Sequence, residues 1–262
     1  RIGLVKTKLE IARDWLPRYT GTPLEGLGEH ILLTNFFNYL VKISQRFDTP
    51  ILGEGGPMQT VTNTDGLTLV NFGMGSANAA TIMDLLVACK PRGVLFLGKC
   101  GGLKRSAEIG RFILPITAIR GEGTSNDYTP PEVPALPSVQ APQVRLEHGF
   151  AVPSGVPDRG DLHDEPPRLG VGEQFRERLR LLSAIGIDME TATVFIVGHV
   201  NQIPRGGALL LVSDAPMTPE GIKTQESDKA VTARYTDLHL DIGIRAMTEI
   251  GQRGEEIKHF GY

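Results

Sequence analysis

The stretch "LTLVNFGMGSANAATIMDLLVACKPRGVLFLGKCGG", residues 67–102, decides the fold class. It opens on an apolar run (67–73), passes two glycines and a serine, continues with helical spacing, and closes on a second apolar run (93–102) that ends in glycines. Ser76 can cap a helix that runs to about Cys89, and Pro91 ends it. Strand, helix and strand in that order imply a right-handed crossover between parallel neighbours.

The same alternation extends outward. "ILLTNFFNYL" (31–40) reads as a strand breaking into a helix near Thr34 and Asn35. "RFILPITAIRGEG" (111–123) adds a strand, and Pro115 within it argues for a sheet edge or a bulge. "GIDMETATVFIVGHVNQ" (186–202) is helical after its first few residues, and "GALLLVSDAP" (207–216) is a last buried strand. Val231, Tyr235, Leu238, Ile242, Ala246 and Ile250 recur at spacings of three and four, the apolar face of a long helix. The expected architecture is α/β: one catalytic domain over residues 1–262, a three-layer sandwich with a mixed, mostly parallel central sheet.

Composition narrows the partners. The 27 basic and 30 acidic residues leave a net charge of −3, which gives no bulk attraction to nucleic acid or an anionic membrane, so the expected partner is a small molecule. No apolar run approaches the roughly 18 residues of a membrane span, and the amino end lacks the order of a signal peptide, so a cytoplasmic location is expected. Cys89 and Cys100 read as reduced and buried; the His and Cys positions form no ligand cluster, and neither metal nor cofactor is expected.

Gly73, Gly75 and Ser76 stand where a strand turns into a helix, an arrangement that brings backbone amides to an anion. A tight turn with an N-cap explains them equally well. The spacing G-x-G-x-x-N is not that of a dinucleotide fold, and no Gly-Lys-Ser/Thr completes a Walker loop.

Five runs taken together are more specific: "GMGSANAA" (73–80), "LFLGKCGGL" (95–103), "IRGEGTSNDYTPPEVPALP" (119–137), "IDMETATVF" (187–195) and "LLLVSDAPM" (209–217). In this order and spacing the chain resembles the nucleoside phosphorylase superfamily and, within it, the AMP nucleosidases in their short bacterial form. The resemblance implies that Asp214 is the acid sharing a proton with purine N7, that Glu190 accepts hydrogen bonds from the ribose hydroxyls, and that Met189 packs on the sugar. It also implies AMP as substrate and a homo-oligomer, up to a hexamer. Where phosphorylases of this superfamily carry an arginine and a serine or threonine around the glycine matched by Gly98, this chain has Phe96 and Lys99; their Gly-Asp-Pro-x-Arg turn is replaced by "TNFFN" at Thr34 to Asn38. Free phosphate is then poorly held, and water is the expected nucleophile. Gly73, Gly75, Ser76, Lys99, Arg120, Thr124 and Ser125 are the expected ligands of a 5′-phosphate. The expected reaction is hydrolysis of AMP to adenine and ribose 5-phosphate. The alternatives are a phosphorylase or another purine nucleosidase, and a purine-nucleotide-binding protein without activity.

One region does not fit. Nine of the 18 prolines lie between Pro130 and Pro167, and residues 138–174 show neither helical nor strand periodicity. Where the family runs roughly T-G-x-x-Y-T-T-N-R-R-x-W-E, this chain has "VPDRGDLHDEPPRLG" (156–170). The codons for those residues, read one nucleotide later, can encode Y-R-T-G-V-T-Y-T-T-N-R-R-V-W-E. Part of 138–172 is therefore expected to be a frame-shifted segment, with a family strand and two arginines lost.

Overall fold

The computed structural model describes residues 6–138, 156–158, 173–182, 184–204, 206–218, 221 and 224–254. Nine strands and six α-helices are found among them. In chain order these are α1 (Lys8–Thr20), β1 (His30–Thr34), α2 (Phe37–Phe47), β2 (Gln59–Thr62), β3 (Leu67–Asn71), α3 (Ser76–Leu85), β4 (Gly93–Gly102), β5 (Phe112–Ile113), β6 (Ala118–Arg120), β7 (Val156–Asp158), α4 (Glu173–Leu181), β8 (Gly186–Ile187), α5 (Thr191–Val200), β9 (Gly206–Asp214) and α6 (Gln225–Arg253).

The central sheet runs in the order β2-β3-β1-β4-β9-β5, with β8 paired to β4 beyond that path. β3, β1, β4 and β9 are mutually parallel, while β2, β5 and β8 pair antiparallel. The parallel strands are apolar on both faces, as strands covered by helices on each side must be. Ile31, Leu33, Val94, Phe96, Leu210 and Val212 face the core shared with α1, α3 and α5. The alternate residues Leu32, Leu97, Leu209 and Leu211 face α2 and α6. Helices thus cover both faces, in keeping with the expected layers.

The run 111–123 is two strands rather than one. β5 ends before Pro115 and lies at the sheet edge, where a residue with no N–H removes no ladder hydrogen bond. β6 leaves the main sheet and pairs in parallel with β7, so three residues of the Pro-rich stretch form a strand where none was expected. The rest of that stretch, 139–155 and 159–172, lies outside the described residues, and with it most of the segment read as frame-shifted.

The buried face of α6 also differs from the expected one. Val231, Ala246 and Ile250 are buried, but Leu238 is 37% exposed, and Thr236, His239, Leu240, Gly243 and Met247 face inward instead. Gly243 lets α6 settle on β4, since a Cβ there would lie 2.8 Å from a methyl of Leu97. The polar His239 is tolerated because Tyr39 and the Leu209 carbonyl meet its two ring nitrogens, both at 2.9 Å. Burial drives its pKa down to about 3, so it is the neutral imidazole. Cys100 is buried, Cys89 is half-buried, and neither forms a disulfide.

Candidate active site

The parallel strands deliver their carboxyl ends to one edge of the sheet, the usual place for a crevice in an open α/β sheet. β1 ends into Asn35, β3 into the Gly73–Ser76 turn, and β9 into Asp214. The last residues of β4 hold β9 on one side, with Gly101 opposite Asp214, and β8 on the other, with Gly101 opposite Ile187. β8 leads directly into the Asp188-Met189-Glu190 run that starts α5.

Glu190 organises this edge. Its carboxylate is 2% exposed and accepts from the Gly75 N–H at 2.7 Å, from the Asn35 side-chain amide at 3.3 Å, and from the Met189 N–H at 3.2 Å. Gly75 caps α3 with φ 92° and ψ 163°, a conformation that only glycine adopts readily, and this aims its N–H away from the helix. The anion met by the glycine turn is therefore the protein's own carboxylate. Negative charge is well placed there, at the positive end of α3. The Gly73 N–H is likewise engaged, with the Asn71 side-chain oxygen at 3.3 Å.

Asp188 fixes the other side of the run. One of its oxygens accepts from both the backbone N–H and the hydroxyl of Thr191, closing the first turn of α5, while its other oxygen is buried and meets no side-chain donor among the described residues. Burial first, and the neighbouring Glu190 charge second, raise its pKa well above the ordinary carboxylate range. Met189, between the two acids, is 39% exposed at the crevice. The Asp214 carboxylate accepts from the Ser213 hydroxyl at 2.8 Å. Both stand at the end of β9, and the bulge in β4 at Cys100/Gly101 changes the register beside them.

The expected phosphate ligands separate into two groups. Ser76 and Thr124 come together, hydroxyl to hydroxyl at 2.8 Å, so the short 3₁₀ turn Thr124–Asp127 rests on the start of α3. Arg120 does not join them as a free cation. All five N–H groups of a guanidinium are directed within its own loop, to the Ser125 hydroxyl, the Asn126 side chain, and the carbonyls of Thr129, Pro130 and Val133. Ser125 is correspondingly buried, accepting from Arg120 and donating its N–H to Glu122 at 2.9 Å. Lys99 is directed to the α6 face of the sheet. Its ammonium is bound to Asp228 at 2.9 Å and Thr232 at 2.7 Å, and lies 4.4 Å from the centre of the Phe36 ring. Lys99 and Arg120 are thus held by internal acceptors rather than presented to a ligand.

Asn35, Asp188 and Asp228 join the site without having been singled out as site residues. Asp188 could have been found from its place two residues before Glu190. Nothing local announces Asp228, which stands 129 residues from Lys99.

A solved structure of AMP nucleosidase from Bacteroides thetaiotaomicron is 42% identical, superposes with a TM-score of 0.79, and is matched over 95% of this chain and 100% of its own. The chain belongs to the phosphorylase superfamily. The family model of that description matches residues 33–153. AMP nucleosidase of Escherichia coli is 28% identical over 92% of this chain, which spans 59% of that longer relative. Uridine phosphorylase of Treponema pallidum is 23% identical over 78% of this chain and 85% of its own length. A Vibrio fischeri uridine phosphorylase structure, 16% identical with a TM-score of 0.73, covers 86% of this chain and 93% of its own, and shares the fold. Among the described residues no group of three or more His, Cys, Asp or Glu is placed to hold a metal ion, and no helix is long and apolar enough to cross a membrane.

Proposed function

We propose that this protein hydrolyses the N-glycosidic bond of AMP, giving adenine and ribose 5-phosphate. The observation that carries the reading is the 42% identity to an AMP nucleosidase structure matched along its whole length. Departure of the purine builds positive charge on the ribose ring and negative charge on the base, so an acid is needed at the base and hydroxyl-binding groups at the sugar. Asp214 is assigned the proton shared with purine N7, with Ser213 fixing its orientation. Glu190 is assigned the ribose hydroxyls. The Asn35 contact, at 3.3 Å longer than those from Gly75 and Met189, is the one a hydroxyl would displace. Met189 supplies an apolar surface beneath the sugar. Water attacks the anomeric carbon.

The proposed partners beyond AMP are further copies of the same chain, which size-exclusion chromatography with light scattering would count, and the proposed compartment is the cytoplasm. The proposed frame shift within 138–172 is tested by resequencing the gene; an unbroken natural frame there would sink it.

The deciding experiment incubates the purified protein with AMP, with and without inorganic phosphate, and identifies the sugar released. Ribose 5-phosphate without added phosphate supports the proposal. Ribose 1-phosphate, formed only with phosphate, would transfer the protein to the phosphorylases, the activity named for its Treponema and Vibrio relatives. AMP binding without turnover would leave a purine-nucleotide-binding protein.

A further inference from the structure

We propose that Lys99 and Asp228 form an oxyanion site closed from within, which keeps small tetrahedral anions such as inorganic phosphate off the Lys99 ammonium. Lys99 lies near the carboxyl end of the central strand β4, opposite Leu211 of β9. Its side chain is 2% exposed, and an ammonium so deeply buried requires a compensating anion. The anion is Asp228, in the first turn of α6, at 2.9 Å, with the Thr232 hydroxyl one helical turn further along at 2.7 Å and the Phe36 ring 4.4 Å away. Phe36 follows Asn35, whose amide reaches Glu190, so the ammonium sits close to the turn assigned to the sugar.

Exposure within the pair is unequal. Asp228 is 34% exposed against 2% for Lys99, so an incoming anion meets the carboxylate before the cation. Two consequences follow from the charges alone. The ammonium is already neutralised by a charge-assisted hydrogen bond, and an oxyanion approaching it is repelled by a like charge within contact distance. A neutral water is not repelled. Within the proposed reaction, on which this last step rests, the pair would select water over phosphate as the nucleophile.

The test removes the closing charge. Asp228→Asn keeps the side-chain shape, and the Thr224–Ser227 capping box that starts α6 is left intact. Binding of inorganic phosphate, and separately of sulfate, is measured by isothermal titration calorimetry on the full chain. Both anions should bind Asp228→Asn at least roughly tenfold more tightly than wild type, about 1.4 kcal/mol, and the gain should vanish in Asp228→Asn combined with Lys99→Met. Asp228→Ser, with a shorter neutral side chain, repeats the measurement should Asn disturb packing or itself cover the ammonium. Folded variants that bind phosphate no better than wild type, or a gain that survives Lys99→Met, would overturn the proposal. The calorimetry needs no turnover, so a wild-type protein inactive on AMP would refute the proposed reaction and still leave this site decided.

Discussion

Replacing Glu190 by Gln tests the centre of the site, because one carboxylate accepts from three N–H groups. The amide retains a single oxygen. Left toward Gly75 and Asn35, it keeps the 2.7 and 3.3 Å contacts but turns its NH₂ toward the Met189 N–H, donor against donor. Hydrogen bonds to a charged group contribute about 1.5–3 kcal/mol and neutral ones about 0.5–1.5, so two weakened bonds and one lost amount to roughly 3.5–6 kcal/mol. For a domain of this size that lowers Tm by roughly 7–24 °C, read by calorimetry or circular dichroism. The same change should erode ribose recognition. A charge-assisted contact weakened by about 1–2 kcal/mol reduces the preference for AMP over 2′-deoxy-AMP by roughly 5–30-fold in kcat/KM. A variant with unchanged Tm would refute the role of Glu190 as acceptor for the turn. An undiminished preference for AMP would refute its assignment to the sugar.

Asp188→Asn is expected to be neutral or stabilising at pH 7–8. A carboxyl whose folded pKa is raised contributes stability below its unfolded pKa and loses it as pH rises through the folded value, so the advantage of the amide should shrink on acidification. Urea unfolding at several pH values reads this, and a fixed stability difference between pH 4 and 8 would contradict the burial argument. Asp214→Asn should keep the Ser213 hydrogen bond and leave stability within about 0.5 kcal/mol, while turnover of AMP falls about 100-fold or more for want of a proton donor. Near wild-type turnover would remove Asp214 from the mechanism. Arg120→Lys leaves at most three donors for five acceptors, so the loop over Thr124 should loosen at a cost of about 1–3 kcal/mol, visible in thermal unfolding; an unchanged Tm would show the loop is held by other contacts.

What the sequence made legible follows from burial. β3, β4 and β9 are covered on both faces and read as unbroken apolar runs, so their positions could be placed to within two residues. α1 gave no such signal. Only Ala12, Leu16 and Thr20 of it are buried and Pro17 interrupts its last turn, so its start depends on the Thr7–Glu10 capping box. Over the 29 residues of α6 the contact stripe includes Thr236, whose hydroxyl donates to the Thr232 carbonyl one turn back, and His239, whose ring meets Tyr39 and the Leu209 carbonyl, and hydrophobic spacing registers neither. Glu190 and Asp214 stand in short motifs, and the structure brings both to the carboxyl edge of the sheet. The roles of Lys99 and Arg120 were not legible, since a cation beside a glycine-rich turn looks available until the acceptors that occupy it are known.

Those acceptors bear on where a nucleotide's phosphate can lie. A phosphate brought to the Gly75 amide would have to displace the Glu190 carboxylate from a 2.7 Å hydrogen bond and leave that charge buried beside Asp188. A neutral ribose hydroxyl faces no such penalty, because it can donate to the same carboxylate without moving it. The glycine turn is therefore better suited to hold the sugar's ligand than to hold phosphate. The 5′-phosphate falls more naturally beside Ser76 and Thr124, where the hydroxyls meet over the start of α3 and the first-turn amides of a helix lack intrahelical acceptors. Neither hydroxyl carries charge, so binding there would rest on the helix terminus. The alternative reading frame for 156–170 would add two adjacent arginines to the chain, so phosphate affinity is a property that would distinguish the two frames.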